Sequence, residues 1–162
     1  MSITFAASEA LRMAIQVEES GIRFYQAAAE KIRVERSRRL LLDLAQRENE
    51  HRETFTAMLE GLTAAEKESS TYDPNDEAPL YLSALADERV FPRADPVGLL
   101  GSKPSLELIL KTALGMEKES ILFYAGLREM TPERLGRSRV DDVLKEEMRH
   151  VTILRGELAR GD

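Results

Sequence analysis

The apolar residues of this chain recur at intervals of three and four along four long segments. This spacing places them on one face of an α-helix and predicts four amphipathic helices, each burying that face. The turns between the first two and between the last two are short, so each pair is expected to pack antiparallel. The predicted helices cover residues 8–33, 35–61, 104–130 and 133–160.

The segment that joins the two helical hairpins differs in composition. Five of the six prolines lie in or at the end of residues 63–103, which excludes a long helix and leaves at most a short one from Glu77 to Val90. Strand signals are nearly absent. About 40 residues can span the ~39 Å of a 26-residue helix. We therefore predict a single all-α domain over residues 1–162, a four-helix bundle of hairpins 8–62 and 104–160 with one long crossover connection.

The two hairpins repeat each other in sequence at an offset of 99 positions. The same offset serves both helices of a hairpin, so equivalent residues are expected at equivalent heights. The pairs that it aligns include Glu18 with Glu117, Phe24 with Phe123, Tyr25 with Tyr124, Glu48 with Glu147 and His51 with His150.

Six polar residues in this repeat fall on the apolar faces of the predicted helices: Glu18, Glu48, His51, Glu117, Glu147 and His150. Burying four carboxylates together without compensation would cost several kcal/mol for each charge. Two divalent cations would balance the four charges, and all six side chains are metal ligands. The i, i+3 spacing in each Glu-x-x-His lets both side chains reach a common metal.

A single Glu-x-x-His on a helix is usually an exposed polar pair. Here that reading is weak, because the chain has only two histidines and each follows a glutamate at the same distance on an apolar stripe. Tyr25 and Tyr124 each follow a predicted ligand by seven residues, about two helical turns. Their hydroxyls could hydrogen-bond a carboxylate across the bundle, although an aromatic residue on a core stripe often only packs. Neighbouring acids such as Glu119 and Glu146 are expected to point away into solvent.

Composition narrows the chemistry further. The 162 residues contain no cysteine, which excludes disulfides, thiolate-bound metals and cysteine nucleophiles within them. A net charge of -6 argues against a nucleic-acid partner. No apolar run is long enough to span a membrane, and the first twenty residues do not read as a secretory signal. We expect a cytoplasmic protein without nucleic-acid or membrane partners.

Four sequence motifs together resemble the ferritin-like di-iron carboxylate superfamily, in particular its rubrerythrin-like branch. These motifs are EESGIRFY, ENEH, MEKESILFY and EMRH. The resemblance covers both hairpins but not the proline-rich connection. It implies that Glu48 and Glu147 bridge two metals and that Glu18 and Glu117 are terminal ligands. It further implies that His51 and His150 bind one metal each, while Tyr25 and Tyr124 support the ligands.

The resemblance also implies a function: a di-iron oxidoreductase that reduces hydrogen peroxide or dioxygen. Without cysteines these residues hold no rubredoxin-like module, so an external electron donor is expected. Peroxidase-type members carry an extra carboxylate one turn along the third helix, where this chain has Ser120. Ferroxidase or iron handling therefore stays open, as does a non-enzymatic helical module with structural metals. The ligands suit manganese as well as iron, and a homodimer is expected.

Overall fold

The computed structural model describes residues 7–68, 77, 80–82, 84 and 96–161. Within these ranges the secondary structure consists of helices and 3₁₀ turns, as the apolar periodicity predicts, and no strand occurs. None of the described helices is long and apolar enough to cross a membrane. The helices are α1 (Ala7–Lys31), α2 (Glu35–Glu60), α3 (Ala64–Glu68), α4 (Leu106–Met130) and α5 (Arg137–Arg160), with 3₁₀ turns at Gly98–Leu100 and Glu133–Leu135.

The helix ends follow local sequence signals. Ser105 caps α4, its hydroxyl accepting a hydrogen bond of 3.1 Å from the Leu108 amide. The predicted start of the last helix is four residues early, because a 3₁₀ turn follows Pro132 and Gly136 then adopts a left-handed conformation with φ of 101°. Only after this glycine does α5 begin.

Two apolar clusters fill the bundle interior at its two ends. One contains Leu11 of α1, Phe55 of α2 and Phe123 of α4, and the other contains Phe24 of α1 and Ile109 of α4. The first part of α1 therefore lies beside the last part of α4, and the last part of α1 beside the first part of α4, so these two helices run antiparallel. A polar layer lies between the clusters, at the middle of each long helix.

The connection crosses the length of the bundle. Leu62, at the end of the first hairpin, belongs to one cluster, and Leu100, before the second hairpin, belongs to the other. Glu77, residues 80–82 and Ala84 are helical. The rest of the predicted helix 77–90 lies outside the described residues.

Residues 80–82 pack closely against α4. The Tyr81 hydroxyl donates a hydrogen bond of 2.8 Å to the Leu122 carbonyl. Gly126 permits this approach, since a Cβ added there would lie 2.6 Å from Tyr81 and 2.8 Å from Leu82. Tyr81 and Leu82 of the connection are thus held against the second hairpin.

The buried face of α1 and α4 is broader than a single stripe. Phe24 and Phe123 are fully buried, whereas Ile22 and Ile121, which the spacing places on the stripe, are only partly buried. Each of these helices packs against more than one other helix: α1 packs against α2, α4 and the short α3, and α4 packs against α1 and α5. Two contact directions widen the face that must be apolar.

Candidate metal centre

The polar layer contains all six predicted ligand residues. Glu18 comes from α1 and Glu117 from α4, while α2 and α5 each contribute one Glu-x-x-His pair. None of the six is more than 4% exposed. The helical periodicity that buries the apolar residues on either side of these positions also turns the six polar side chains inward.

The six residues form two groups of four potential ligands. The first group is Glu18, Glu48, His51 and Glu147, and the second is Glu48, Glu117, Glu147 and His150. Within each group one ligand atom from every residue lies within 4.8 Å of the others. Two residues, Glu48 and Glu147, belong to both groups. This arrangement suits two metal ions with two carboxylates between them.

Glu147 is placed to serve both groups because its two oxygens face different histidines. Its Oε1 lies 3.2 Å from Nδ1 of His51, and its Oε2 lies 3.2 Å from Nδ1 of His150. Oε1 of Glu48 lies 3.1 Å from the same His150 nitrogen. The two imidazole rings stack with centroids 5.7 Å apart. Both histidines thus direct Nδ1 towards the carboxylates.

The remaining two carboxylates each lie near one histidine. Glu18 Oε2 is 3.7 Å from His51 Nδ1, and Glu117 Oε1 is 3.6 Å from His150 Nδ1. Each group therefore has its own histidine and its own unshared carboxylate. Two sites related by the sequence repeat follow from this pattern.

A second, independent observation indicates that these side chains are suited to binding divalent metal ions. Among the described residues, the buried side-chain nitrogen and oxygen atoms that lack a hydrogen-bond partner are Glu18 Oε2, Glu48 Oε1, His51 Nδ1, both carboxylate oxygens of Glu147, and His150 Nδ1. Buried polar atoms are normally satisfied, because an unpaired one costs about 1–3 kcal/mol. All six belong to the polar layer, where metal ions would satisfy them together.

The electrostatics of the layer show what its charges cost without metal. Burial raises the pKa of Glu18 and Glu147 well above the ordinary carboxyl value, and burial and the Glu117 charge raise the pKa of Glu48. Burial acts in the same sense on Glu117, but contacts with Glu147 and His150 outweigh it and lower the pKa of Glu117. Four ionised carboxylates are therefore not stable here without positive charge.

The histidines respond in the opposite direction to simple burial. Burial alone would lower the pKa of His150, but the surrounding carboxylates of Glu117, Glu147 and Glu48 raise it to about 12. The pKa of His51 is also raised, mainly by Glu147. Protons thus take the place of cations in the metal-free protein, and metal ions must compete with them.

Two tyrosines connect the hairpins at the polar layer. The Tyr25 hydroxyl donates a hydrogen bond to Glu117 Oε1, and the Tyr124 hydroxyl donates one to Glu18 Oε1. The repeat relates these two bonds to each other. Burial and the neighbouring carboxylates raise the pKa of both tyrosines well above 10, so both phenols stay protonated. Each predicted terminal ligand is therefore oriented by the opposite hairpin, whereas a role of the tyrosines in the chemistry stays a prediction.

Glu146 corrects one expectation drawn from helix geometry. It stands next to Glu147 and was expected to face solvent, but its Oε2 lies 3.2 Å from Nε2 of His51. A metal-binding histidine commonly donates a hydrogen bond from its second ring N–H group to such a carboxylate, which fixes the orientation of the ring. The sequence signal that could have identified Glu146 was therefore the requirement of a metal-binding histidine for a carboxylate partner. The repeat places Arg47 at the equivalent position, so it brings no matching carboxylate to His150.

Glu119 is the second correction. It was expected to point into solvent, yet it is partly buried and lines a small cavity beside the metal layer. The cavity lies between α1 and α4 and reaches Glu48 and Glu117. Its walls therefore include a further acidic side chain.

Comparison with known proteins agrees with this geometry. A family model described as Rubrerythrin matches residues 9–158. The chain is also similar to a crystal structure from Thermotoga maritima described as a ferritin-like diiron-carboxylate protein, with a TM-score of 0.70, 23% identity and 96% of each chain covered. At that identity the likeness shows the fold alone, and it confirms the ferritin-like bundle. No curated protein matches the chain.

Proposed function

We propose that this chain, which belongs to the rubrerythrin family, is a non-haem di-iron oxidoreductase that reduces hydrogen peroxide or dioxygen. The observation that carries the proposal is the pair of four-residue groups that share Glu48 and Glu147. Two adjacent metal ions can each supply one electron, which suits the two-electron reduction of an oxidant.

The charge of the site supports a pair of divalent ions. Four carboxylates carry four negative charges, which two such ions neutralise, and the histidines then act as neutral donors. Carboxylate and imidazole ligands suit iron and manganese alike. We propose iron, as in the diiron-carboxylate protein to which the chain is similar, because the proposed reaction requires an ion that changes oxidation state.

The residues of the chain would divide the work as follows. Glu48 and Glu147 would hold both ions, and the unshared carboxylates and histidines would complete each ion's set. Tyr25 holds Glu117 in place, and its equivalent Tyr124 holds Glu18. Apolar clusters above and below the layer exclude bulk water from it.

A bound pair of ferrous ions supplies the two electrons that reduce hydrogen peroxide, together with two protons, to two molecules of water. A reductant must then restore the site. The 162 residues contain no cysteine for a rubredoxin-like centre, so we propose an external electron donor. The homodimer expected from the family resemblance stays a prediction.

Ferroxidase activity is a second candidate, with ferrous iron as substrate. Position 120, where peroxidase-type members of the family would have an additional carboxylate, is a serine whose hydroxyl donates a hydrogen bond of 3.0 Å to the Met116 carbonyl of its own helix. The two ligand groups contain no seventh residue among the part of the chain that the structure describes. This favours an oxidase or ferroxidase over a dedicated peroxidase.

Anaerobic loading with two ferrous ions per chain, followed by rapid mixing with hydrogen peroxide or with dioxygen, tests the proposal. We expect both irons to be oxidised by at least one of the two, with absorbance reporting the ferric product. Continued oxidation of excess ferrous iron would instead identify a ferroxidase. Two bound irons that neither oxidant changes would reject an enzyme and favour structural metals.

Matched variants on α2 make the test specific. Glu48→Ala removes a shared ligand and is expected to abolish paired-metal binding. Glu50→Ala removes a solvent-facing carboxylate two residues further along, which contacts Arg47 at 3.1 Å, and is expected to retain two irons. Full iron retention in Glu48→Ala would contradict the ligand assignment.

A further inference from the structure

The cavity between α1 and α4 extends to the polar layer. Glu48, Glu117 and Tyr25 line its inner part, and Gly21 and Ser120 lie on its two helical walls. Its volume is about 40 Å³, whereas one water molecule needs about 10–15 Å³. The cavity therefore has room for a molecule of two to four atoms.

Gly21 keeps this space open on the α1 side. A Cβ at position 21 would lie 2.9 Å from Oε2 and 3.3 Å from Cγ of Glu48. Any side chain there would fill the gap and displace one of the two shared carboxylates. The sequence repeat places Ser120 at the equivalent position of α4, so two small residues face each other across the cavity.

The polar groups of the cavity restrict what can occupy it. The Ser120 hydroxyl donates to Met116, and the Tyr25 hydroxyl donates to Glu117, so neither proton is available to a guest. The remaining polar groups on the walls are mainly carboxylates, which accept hydrogen bonds and donate none. With two divalent ions bound, the charges of Glu48 and Glu117 are balanced, so the cavity selects its occupant by size rather than by charge.

A second opening near the site, among the residues that the structure describes, does not offer such a path. A wide groove between α2 and α5 includes Thr54, His51 and Glu146. The imidazole of His51, with its Nε2 3.2 Å from Glu146, lies between this groove and the carboxylates. A guest in the groove would therefore meet the back of a ligand rather than the metal layer.

We propose that the Gly21–Ser120 cavity is the binding site and access path for the oxidant, admitting molecules up to the size of hydrogen peroxide and excluding alkyl hydroperoxides. The inference rests on the proposed function. Ser120 is then a residue that determines substrate size, acting through the space that it leaves rather than through bonding to the metals.

Three variants test the access path. Ser120→Val fills the cavity with two methyl groups, and Ser120→Ala enlarges it by removing the hydroxyl. Thr54→Val is the matched control, because the Thr54 hydroxyl donates a hydrogen bond of 3.0 Å to the Glu50 carbonyl, as Ser120 does to Met116, but in the other groove. Iron content is measured first and is expected to remain two per chain in all three.

The principal readout is the rate at which nitric oxide, a neutral diatomic probe, binds to the anaerobic diferrous protein, followed by stopped-flow absorbance. We expect Ser120→Val to slow the binding of nitric oxide about tenfold or more. The two methyl groups of valine would occupy the small cavity, and the packed walls around it yield little to added volume. Thr54→Val is expected to leave the rate unchanged. Wild-type binding rates in an iron-replete Ser120→Val protein would overturn the proposal.

Oxidation by hydrogen peroxide and by tert-butyl hydroperoxide provides the second readout. Ser120→Ala is expected to raise the rate with the larger peroxide about threefold or more relative to the smaller one, because the removed hydroxyl widens the path. If Ser120→Val fails to hold iron, this ratio decides, and an unchanged ratio overturns the access path. Nitric oxide binding that depends on position 120 in a protein that no oxidant changes would reject the proposed function alone.

Discussion

Replacing Glu147 by glutamine removes one charge from the centre of the metal layer while keeping the size of the side chain. The two oxygens of Glu147 each lie 3.2 Å from one histidine Nδ1, and the residue is fully buried. The substitution should act in opposite directions on the metal-free and metal-bound proteins. The metal-free protein should gain stability, and stabilisation by metal should be lost.

The gain follows from the raised pKa of Glu147, which burial and the charges of Glu48 and Glu117 cause. Above its ordinary value of 4.5, the unfolded chain releases a proton that the folded metal-free protein retains, so stability falls as pH rises. Glutamine carries no such cost. That cost is about 1.4 kcal/mol for each pH unit above 4.5 over which the buried carboxyl keeps its proton. Each kcal/mol corresponds to about 2–4 °C of melting temperature in a chain of this size.

The loss on the metal-bound side should be larger. A ligand at 1,000 times its dissociation constant stabilises the folded state by about 4 kcal/mol. Two sites then contribute about 8 kcal/mol, or roughly 15–30 °C. Because Glu147 belongs to both groups, its loss should weaken metal binding at both sites and reduce the metal-dependent rise in melting temperature to a few degrees.

Thermal unfolding followed by far-ultraviolet circular dichroism, with chelator or with excess Mn²⁺ at mildly alkaline pH, measures both effects. Glu157→Gln is the control on the same helix, since Glu157 pairs with Arg36 at 2.6 Å, away from the ligand groups. It should not stabilise the metal-free protein and should leave the metal shift intact. A less stable metal-free Glu147→Gln would refute the electrostatic reasoning, and an undiminished metal shift would refute the shared ligand.

Three further predictions concern the surroundings of the ligands. Glu146→Gln should weaken one of the two metals about 10–100-fold by releasing His51; calorimetric titration with Mn²⁺ showing wild-type affinity at both sites would contradict this. Tyr124→Phe should retain two metals but lower the free energy of unfolding by about 1–3 kcal/mol, because Glu18 loses its donor; unchanged denaturant midpoints would argue against that bond. Metal affinity should fall as pH falls, about tenfold per pH unit for each displaced proton, because the pKa of His150 in the metal-free protein is about 12; a pH-independent Mn²⁺ affinity would exclude proton competition.

The helices and the six inward polar residues could be predicted because both depend on position within one helix. An apolar interval of three or four residues determines which face is buried. Glu18 and Glu117 interrupt that face at the same repeat position, which marked them without any knowledge of packing. The crossover was likewise predictable, since a connection of about 40 residues is long enough to return along a helix of 26 residues.

Contacts between helices required the tertiary structure. Helical spacing turned Glu146 about 100° away from Glu147, but the distance between α2 and α5 brings it to His51 all the same. The sharing of Glu147 by both ligand groups, which family resemblance had implied, and the opening between Gly21 and Ser120 also depend on how closely neighbouring helices approach. Periodicity specifies the direction of a side chain from its own axis, whereas the separation and rotation of packed helices decide which partner that side chain meets.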